Sequence, residues 1–181
     1  MTEQKFDKDT WQTPKYVFNW LDSRFSFVVD GCANYENNLS TFYIGKGSIF
    51  EDFLDFNINQ LESIAFGKAA IYVNPPYSNV TPFIVRAKEL RDSGHTVVML
   101  LNNDKSTQWY QNHIQGVANE VIDITGGRIA FIHPITSKEI KGNSKGQMVV
   151  VFDPAMEDFV MRSVSLDFIK KVGGYDENPN D

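Results

Sequence analysis

The stretch AAIYVNPPYSN, residues 69–79, joins an apolar run to polar and aromatic groups that could do chemistry. The run ends at Asn74, and the Pro-Pro pair that follows cannot continue a strand or a helix, because each proline lacks an N–H donor and fixes its own φ. The prolines would hold the backbone extended, so that the Asn74 side-chain oxygen and the Pro75 carbonyl could converge on an –NH₂ group, which donates two hydrogen bonds. Tyr77 could then stack on the ring that carries this amine. The stretch predicts either a site for a planar amino-heterocycle or an inert turn.

A second candidate site lies in the stretch VVDGCANYENN, residues 28–38. Asp30 would end a strand, and Gly31 permits a tight turn with close approach of the backbone. Cys32 and Ala33 are small enough to let a ligand lie near the chain. The same pattern also suits an ordinary strand-to-helix turn with an Asp cap, because no G-x-G-x-x-G is present. Cys32 is not favoured as a nucleophile, since no His or Asn stands at a recognised spacing from it.

Helices and strands that alternate along the chain would position both stretches. Helical periodicity is clear over residues 14–25, where Thr13 is expected to cap the helix and Pro14 to occupy its first position. The other predicted elements are helices over 81–94 and 106–116 and strands over 25–30, 40–45, 68–74, 95–102, 119–125, 127–133 and 146–153. This alternation predicts an α/β fold with a mostly parallel central sheet and helices on both faces. The last two strands share one loop without helical pattern, so the C-terminal strand should run antiparallel to its neighbour.

The carboxyl ends of neighbouring parallel strands form the crevice in which open α/β sheets bind their ligands. Three predicted strand ends carry polar residues, at 30–33, 74–77 and 102–104. We therefore expect the first two of these stretches to meet at one edge of the sheet if their strands are neighbours.

The length of 181 residues favours one domain with a substantial core. We expect this domain to span residues 1–172, with 133–146 as a basic insertion loop. Residues 173–181 have no apolar pattern and are expected to form a disordered tail. The single cysteine excludes an internal disulfide, and the three histidines show no paired ligand spacing, so no metal is expected.

Charge and hydropathy limit the possible partners. No stretch approaches the ~18 continuous apolar residues of a membrane helix, and the N-terminal MTEQKFDKDTW lacks the apolar core of a secretory signal. A cytoplasmic protein without a membrane partner is therefore expected. The net charge of −6 argues against a surface that is basic all over, although a local basic patch is compatible with it.

Taken in order, the motifs resemble the phage-type DNA N6-adenine methyltransferases of the Dam-like family. The resemblance covers about residues 11–153 and is carried by WQTP (11–14), DGCA (30–33), NPPYS (74–78), VVMLLNNDKSTQWY (97–110) and GGRIAFI (126–132). NPPY alone is shared with enzymes that methylate protein glutamine or RNA, so the specificity comes from the ordered set. Asn34 and Tyr35 replace the glycine-rich continuation of the family's first cofactor motif, which is a departure from its pattern.

The resemblance implies a Rossmann-like methyltransferase fold, S-adenosyl-L-methionine as the methyl donor, and double-stranded DNA whose target adenine is flipped out. It implies a catalytic set at the NPPY motif, namely Asn74, Pro75, Pro76 and Tyr77. The implied cofactor-binding residues are Thr13, Pro14, Asp30, Cys32, Ala33 and one acidic residue of FEDFLDF. That residue, at the adenine end of the cofactor, is Asp52 or Asp55, and Asp55 is favoured. It also implies a phage or prophage protein acting in a bacterial host.

A basic loop is the candidate surface for DNA, because lysine contacts to phosphate position the duplex without reading its sequence. The predicted DNA-binding residues are Lys138, Lys141, Lys145, Arg128 and Lys105, with Arg86 near the same strand ends. The length leaves no room for a separate recognition domain, so sequence readout is expected from loops 102–112 and 133–146. Phe83 and Trp109 are further aromatic candidates for the site, and core or surface packing is the more usual role of such residues.

Two alternatives keep part of this interpretation. The acceptor could be RNA adenine or a protein glutamine, with the same methyl donor. The chain could instead be a catalytically inactive homologue that binds DNA or the cofactor, which the altered glycine pattern after Asp30 would favour.

Overall fold

The computed structural model describes residues 7–177, and within them seven strands form one sheet. The strands are β1 Val29–Asp30, β2 Phe42–Tyr43, β3 Ala70–Val73, β4 Thr96–Asn102, β5 Glu120–Thr125, β6 Gln147–Phe152 and β7 Val160–Ser165. The helices are α1 Lys15–Phe25, α2 Ile58–Ile64, α3 Thr81–Asp92, α4 Gln108–His113 and α5 Leu166–Gly173, with 3₁₀ turns at Lys8–Thr10 and Tyr77–Asn79.

The sheet has the strand order β2-β1-β3-β4-β6-β5-β7. Its strands pair in parallel except for β6, which runs antiparallel to both β4 and β5. The register places Asp30 opposite Tyr72, so β1 and β3 are direct neighbours and end at the same edge. The predicted α/β fold with a mostly parallel sheet is therefore confirmed.

Both faces of the central strands are buried. Alternate residues of β3 and β4, such as Tyr72 and Val98, face a core that includes α1 and α5. The residues between them, such as Val73 and Met99, face a second core that includes α2, α3 and α4. Burial on both faces explains why these central strands read as continuous apolar runs.

The predicted strand over 127–133 is wrong. Residue Ile132 makes only two isolated bridges, to Gln12 and to Glu139, and the antiparallel partners of β6 are β4 and β5. The apolar pattern of this segment reflects the burial of Ile129 and Phe131 against the α1–α5 core, without a ladder. The antiparallel strand is also not the last one, because β7 follows β6 and pairs in parallel with β5.

The C-terminal residues that the structure describes pack against α1. The Asn19 side-chain amide donates to the carbonyl of Gly173 over 3.2 Å, and the rings of Tyr16 and Tyr175 meet edge to face at 5.0 Å. The first residues of the predicted tail are thus ordered, which contradicts disorder there. Residues 178–181 of that prediction lie outside the described residues. Over residues 7–177, the structure has no helix both long and apolar enough to span a membrane.

Candidate active site

A cleft of about 600 Å³ lies beyond the carboxyl ends of β1 and β3. Its walls come from the N-terminal segment 9–13, the segments 30–39 and 44–53 after β1 and β2, and the loop residues 134–135. The sequence-predicted residues that line it are Thr13, Asp30, Cys32, Ala33, Asp52, Asn74, Pro76 and Phe83. Within the described part of the chain, the lining does not include Pro14, Asp55, Pro75, Tyr77, Trp109 or the predicted DNA-binding residues. The expected meeting of the first two strand ends is confirmed.

The orientation of Asn74 is fixed by the N-terminal segment. Its Nδ2 donates to the backbone carbonyl of Trp11 over 3.3 Å. A carbonyl can only accept, so the amide must turn its nitrogen toward Trp11. The Oδ1 oxygen is therefore the group that Asn74 can offer to the cleft as an acceptor.

The two residues after Pro75 differ in their surroundings. Pro76 lines the cleft, whereas the Tyr77 ring is half-buried and meets Phe131 edge to face at 6.3 Å. The Tyr77 hydroxyl donates to the Leu100 carbonyl at 2.9 Å, and burial raises the pKa of this phenol. The hydroxyl is thus a neutral donor that fixes the ring, and it is not a proton acceptor for chemistry.

Asp9 is a residue of this region that the sequence analysis missed. Its carboxylate accepts from the backbone N–H of Ser78 at 3.0 Å and also from the Ser78 hydroxyl. These bonds connect the first 3₁₀ turn to the residue that follows the NPPY motif. Nothing in the sequence indicated this role, because the two residues are 69 positions apart.

The sequence pattern predicted that Thr13 caps α1, and this prediction is wrong. The helix begins at Lys15 with Pro14 at its N-cap, and no side chain caps it. The Thr13 hydroxyl instead shares a hydrogen bond of 2.7 Å with the hydroxyl of Tyr72 on β3. This buried contact joins the N-terminal segment to the strand that carries Asn74.

Asp30 is the buried carboxyl group of the cleft, with 4% of its surface exposed. Burial raises its pKa from 3.8 to about 6, and the N–H bonds from Leu39 and Cys32 oppose this rise only in part. The Leu39 N–H lies 3.1 Å from one carboxylate oxygen. A cationic ligand in the cleft would stabilise the ionised form of Asp30 and so oppose the effect of burial on its pKa.

Close backbone packing surrounds this carboxyl group. A Cβ on Gly31 would lie 2.9 Å from a methyl of Val73, and one on Gly45 would lie 1.9 Å from the Ala33 carbonyl. Gly45 also has a φ of +153°, in the range that favours glycine. Burial, followed by the negative charges of Asp30 and Asp52, raises the pKa of the Cys32 thiol well above its usual value. A thiolate is thus disfavoured, which agrees with the expectation that Cys32 is no nucleophile.

The acidic residues of FEDFLDF lie in different places. Asp52 lines the cleft and accepts from the Leu54 N–H at 2.9 Å, whereas Asp55 is not among the lining residues. The geometry thus favours Asp52, although the sequence favoured Asp55. Phe53, which the sequence analysis did not single out, stacks on Phe83 at 5.8 Å and 11°. Both rings line the cleft and form an apolar wall beside the Asp52 carboxylate.

The predicted DNA-binding residues differ in whether their side chains are held by other parts of the protein or are exposed. Lys105 pairs with Asp123 at 2.5 Å and also donates to Asn103, so its charge is largely balanced within the protein. Arg128 is exposed and donates to the Asn143 carbonyl at 3.0 Å, which holds the base of the loop. The three loop lysines are exposed: Lys138, Lys141 and Lys145. Arg86 lies away from the cleft, where it donates to the Phe56 carbonyl.

Comparisons with known proteins show that the chain is similar to DNA N-6-adenine-methyltransferases. Residues 1–174 match the family model described as DNA N-6-adenine-methyltransferase (Dam). A protein of Haemophilus phage HP1 (strain HP1c1), named DNA N-6-adenine-methyltransferase, is 37% identical over 175 residues, which cover 94% of this chain and 94% of the relative. A protein of the same name from Escherichia phage T1 is 29% identical over 171 residues, which cover 86% of this chain and 67% of that protein.

Proposed function

Because the chain belongs to the DNA N-6-adenine-methyltransferase (Dam) family, we propose that it uses S-adenosylmethionine to methylate the N6 amine of an adenine flipped out of double-stranded DNA. The family supports the broader statement directly: the chain is an adenine-specific DNA methyltransferase. The mixed α/β sheet is consistent with a methyltransferase fold. One observation carries the finer proposal. The Asn74 amide, oriented by Trp11, and the buried carboxyl of Asp30 line the same cleft.

The chemistry of the cleft suits S-adenosylmethionine. Its volume of about 600 Å³ falls within the range of cofactor sites. Carboxylates at Asp30 and Asp52 would hold cationic and hydroxyl groups, and Phe53 and Phe83 offer a planar apolar surface. When bound, S-adenosylmethionine supplies an electrophilic methyl group on a sulfonium centre. Thr13 and Ala33 complete the cleft near these groups.

The chain's own contribution is to prepare the nitrogen that accepts the methyl group. The lone pair of adenine N6 is delocalised into the ring, which makes it a poor nucleophile. The Asn74 Oδ1 and the Pro75 carbonyl would accept from the two N6 hydrogens and favour a tetrahedral nitrogen with a localised lone pair. When N6 gains the methyl group, one of these hydrogens would leave as a proton to water. This is catalysis by position and electrostatics, and it requires no covalent enzyme intermediate.

An adenine inside a duplex cannot reach this cleft, so the proposal includes base flipping. Tyr77 is the proposed stacking partner for the flipped base, through the part of its half-buried ring that stays exposed, although the ring does not line the cleft. Its fixed hydroxyl and its contact with Phe131 would hold the ring still, which lowers the entropy lost when the base binds. The phage origin of the relatives supports action in the cytoplasm of a bacterial host.

The test of the function is methyl transfer from labelled S-adenosylmethionine to three acceptors: unmethylated duplex DNA, RNA and a protein mixture. We expect label in DNA alone, as N6-methyladenine after hydrolysis to nucleosides. Label in RNA or in protein glutamine, with none in DNA, would replace the proposed acceptor. Cleavage of the product by methylation-sensitive nucleases would then map the target site.

The two acidic candidates give a matched pair of variants. We expect Asp52→Asn to weaken S-adenosylmethionine binding about 10- to 150-fold, because charged hydrogen bonds contribute roughly 1.5–3 kcal/mol. Asp55→Asn should leave the affinity within about twofold. Isothermal titration of both variants would check this, and the reverse ranking would restore Asp55 as the cofactor residue.

The basic loop predicts a change in salt dependence. We expect Lys→Gln at positions 138, 141 and 145 together to reduce the slope of log affinity for DNA against log salt by about 2–3, because each phosphate contact contributes roughly 0.9. Filter binding at several salt concentrations measures this slope. The matched control is Lys→Gln at positions 88, 170 and 171, which changes the net charge equally on the helices α3 and α5. An equal slope for both triple variants would show that the loop does not contact DNA.

A further inference from the structure

Residues 131–140 fold back on themselves as a short hairpin beside the cleft. The N–H of Ile140 donates to the Phe131 carbonyl at 2.7 Å, and the N–H of His133 donates to the Lys138 carbonyl at 2.8 Å. These bonds close a four-residue tip, residues 134–137. In the stem of the hairpin Phe131 is buried, which explains the apolar pattern of residues 127–133. In the tip, by contrast, Ile135 is 80% exposed.

The tip is held in one conformation by its own hydrogen bonds. The Nδ1 atom of His133 accepts from the N–H groups of Ile135 and Thr136, at 3.1 and 3.2 Å. The N–H of Ser137 donates to the His133 carbonyl, and Ser137 has a φ of +56°. Ile135 is thus presented on a defined turn, although its side chain is exposed to water.

The stem of the hairpin is anchored to the residues that orient Asn74. Gln12 and Ile132 exchange two backbone hydrogen bonds, at 3.0 and 2.9 Å. The buried Phe131 ring lies 6.0 Å from Trp11 and 6.3 Å from Tyr77. The same Trp11 provides the carbonyl that holds the Asn74 amide. The stem of the hairpin and the Asn74 amide are therefore held by the adjacent residues Gln12 and Trp11.

We propose that Ile135 inserts into the DNA base stack and fills the space that the flipped adenine leaves. Pro134 and Ile135 line the cleft that would receive the adenine, so the tip lies at its mouth. An apolar wedge lowers the cost of unstacking because it restores contacts to the neighbouring base pairs. The exposed Lys138 and Lys141 follow the tip directly and can contact the flanking phosphates. This inference rests on the proposed function.

The experiment compares Ile135→Ala with the wild-type protein on two duplexes that contain the mapped target site. In one duplex the target adenine pairs with thymine, and in the other it faces an abasic position. We expect Ile135→Ala to lower kcat/KM about 10- to 100-fold on the paired duplex, because burial of this side chain is lost. On the abasic duplex, which is easier to unstack, the loss should stay within about threefold. Ile135→Met, which retains an apolar wedge, should restore most of the activity on the paired duplex.

The control variant is Phe168→Ala, which removes another exposed apolar side chain on α5, outside the cleft lining. It should not change the ratio of the two activities. An equal loss for Ile135→Ala on both duplexes, with a raised KM for S-adenosylmethionine, would place Ile135 in the cofactor site and overturn the wedge. Unchanged activity would overturn it as well. Failure of the proposed function would be seen before this comparison, because a wild-type protein that transfers no label to DNA gives no target site to map, and the wedge would then fail with it.

Discussion

Asn74→Ala should lose about 10³-fold in methyl transfer to DNA and still bind S-adenosylmethionine. Removal of one preorganised hydrogen-bonding group from a reaction centre typically costs 10²–10³ in rate. The expected loss lies at the upper end of this range, because Asn74 provides the only side-chain oxygen that would accept a hydrogen bond from N6 in the proposed mechanism. Single-turnover transfer measures the chemical step, and titration with S-adenosylmethionine measures binding.

The Trp11 contact makes a second variant informative. In Asn74→Asp the side chain keeps an oxygen toward the cleft, but its second oxygen would face the Trp11 carbonyl, where the wild-type amide donates. Two acceptors repel each other, so the carboxylate should turn or shift. We therefore expect Asn74→Asp to be nearly as impaired as Asn74→Ala.

Asn79→Ala is the matched control, since Asn79 is an exposed asparagine on the 3₁₀ turn Tyr77–Asn79, five residues after Asn74, and does not line the cleft. Its rate should match that of the wild-type protein. Full activity of Asn74→Ala would exclude the proposed role of the amide. A loss of cofactor binding in the same variant would instead place Asn74 among the cofactor residues.

The sequence alone predicted the fold and the meeting of the Asp30 and Asn74 segments at one edge of the sheet, because both depend on local pattern. The continuous apolar runs of β3 and β4 indicated a sheet buried on both faces, and the polar residues after each strand indicated its carboxyl edge. Asp30 and Asn74 could thus be expected to meet once their strands were neighbours. The register that places Asp30 opposite Tyr72 fulfils that condition.

Contacts between distant segments could not be predicted in this way. The bonds from Asp9 to Ser78 and from Asn74 to Trp11 join residues more than 60 positions apart, and no periodicity encodes them. The segment 127–133 has the pattern of a strand because burial of Ile129 and Phe131 gives the same apolar spacing as a ladder. The choice between Asp52 and Asp55 likewise depends on the path of a loop, which the spacing of two acids does not specify.

Asp30→Asn should raise the free energy of unfolding of the unliganded protein and weaken its binding of S-adenosylmethionine. The pKa of Asp30 in the folded protein is raised to about 6, above its ordinary 3.8, so ionisation of this group opposes folding. Below about pH 4 the group is protonated in both the folded and the unfolded protein, so it does not lower the stability. As the pH rises through about 6, the unfolded chain ionises first and the folded protein loses stability. Asparagine cannot ionise, and its Oδ1 can still accept from the Leu39 N–H. The unliganded variant should therefore be more stable than the wild-type protein at pH 8.

The size of this effect follows from the shift. A difference of roughly two pKa units corresponds to about 3 kcal/mol at pH values above 6, and to about 1 kcal/mol at pH 4.5. We expect the advantage of the variant in free energy of unfolding to grow by about 2 kcal/mol between pH 4.5 and pH 8. Urea unfolding at the two pH values measures it. Asp104→Asn is a control of opposite sign, because hydrogen bonds from Ser106 lower the pKa of Asp104 and its stabilising contribution is present only at higher pH.

The same variant should bind S-adenosylmethionine much more weakly, because the proposed role of Asp30 requires its negative charge. In the wild-type protein a cationic ligand favours the ionised carboxylate, so affinity should rise with pH up to about 6 and level off above it. In Asp30→Asn this rise should be absent. Titration calorimetry between pH 5 and pH 8 resolves the two curves. A wild-type affinity that does not change across this range would contradict a contact between Asp30 and a cationic group of the ligand. The unfolding measurement then tests the raised pKa of Asp30 by itself, because a stability gain of Asp30→Asn at pH 8 depends on the unliganded protein alone.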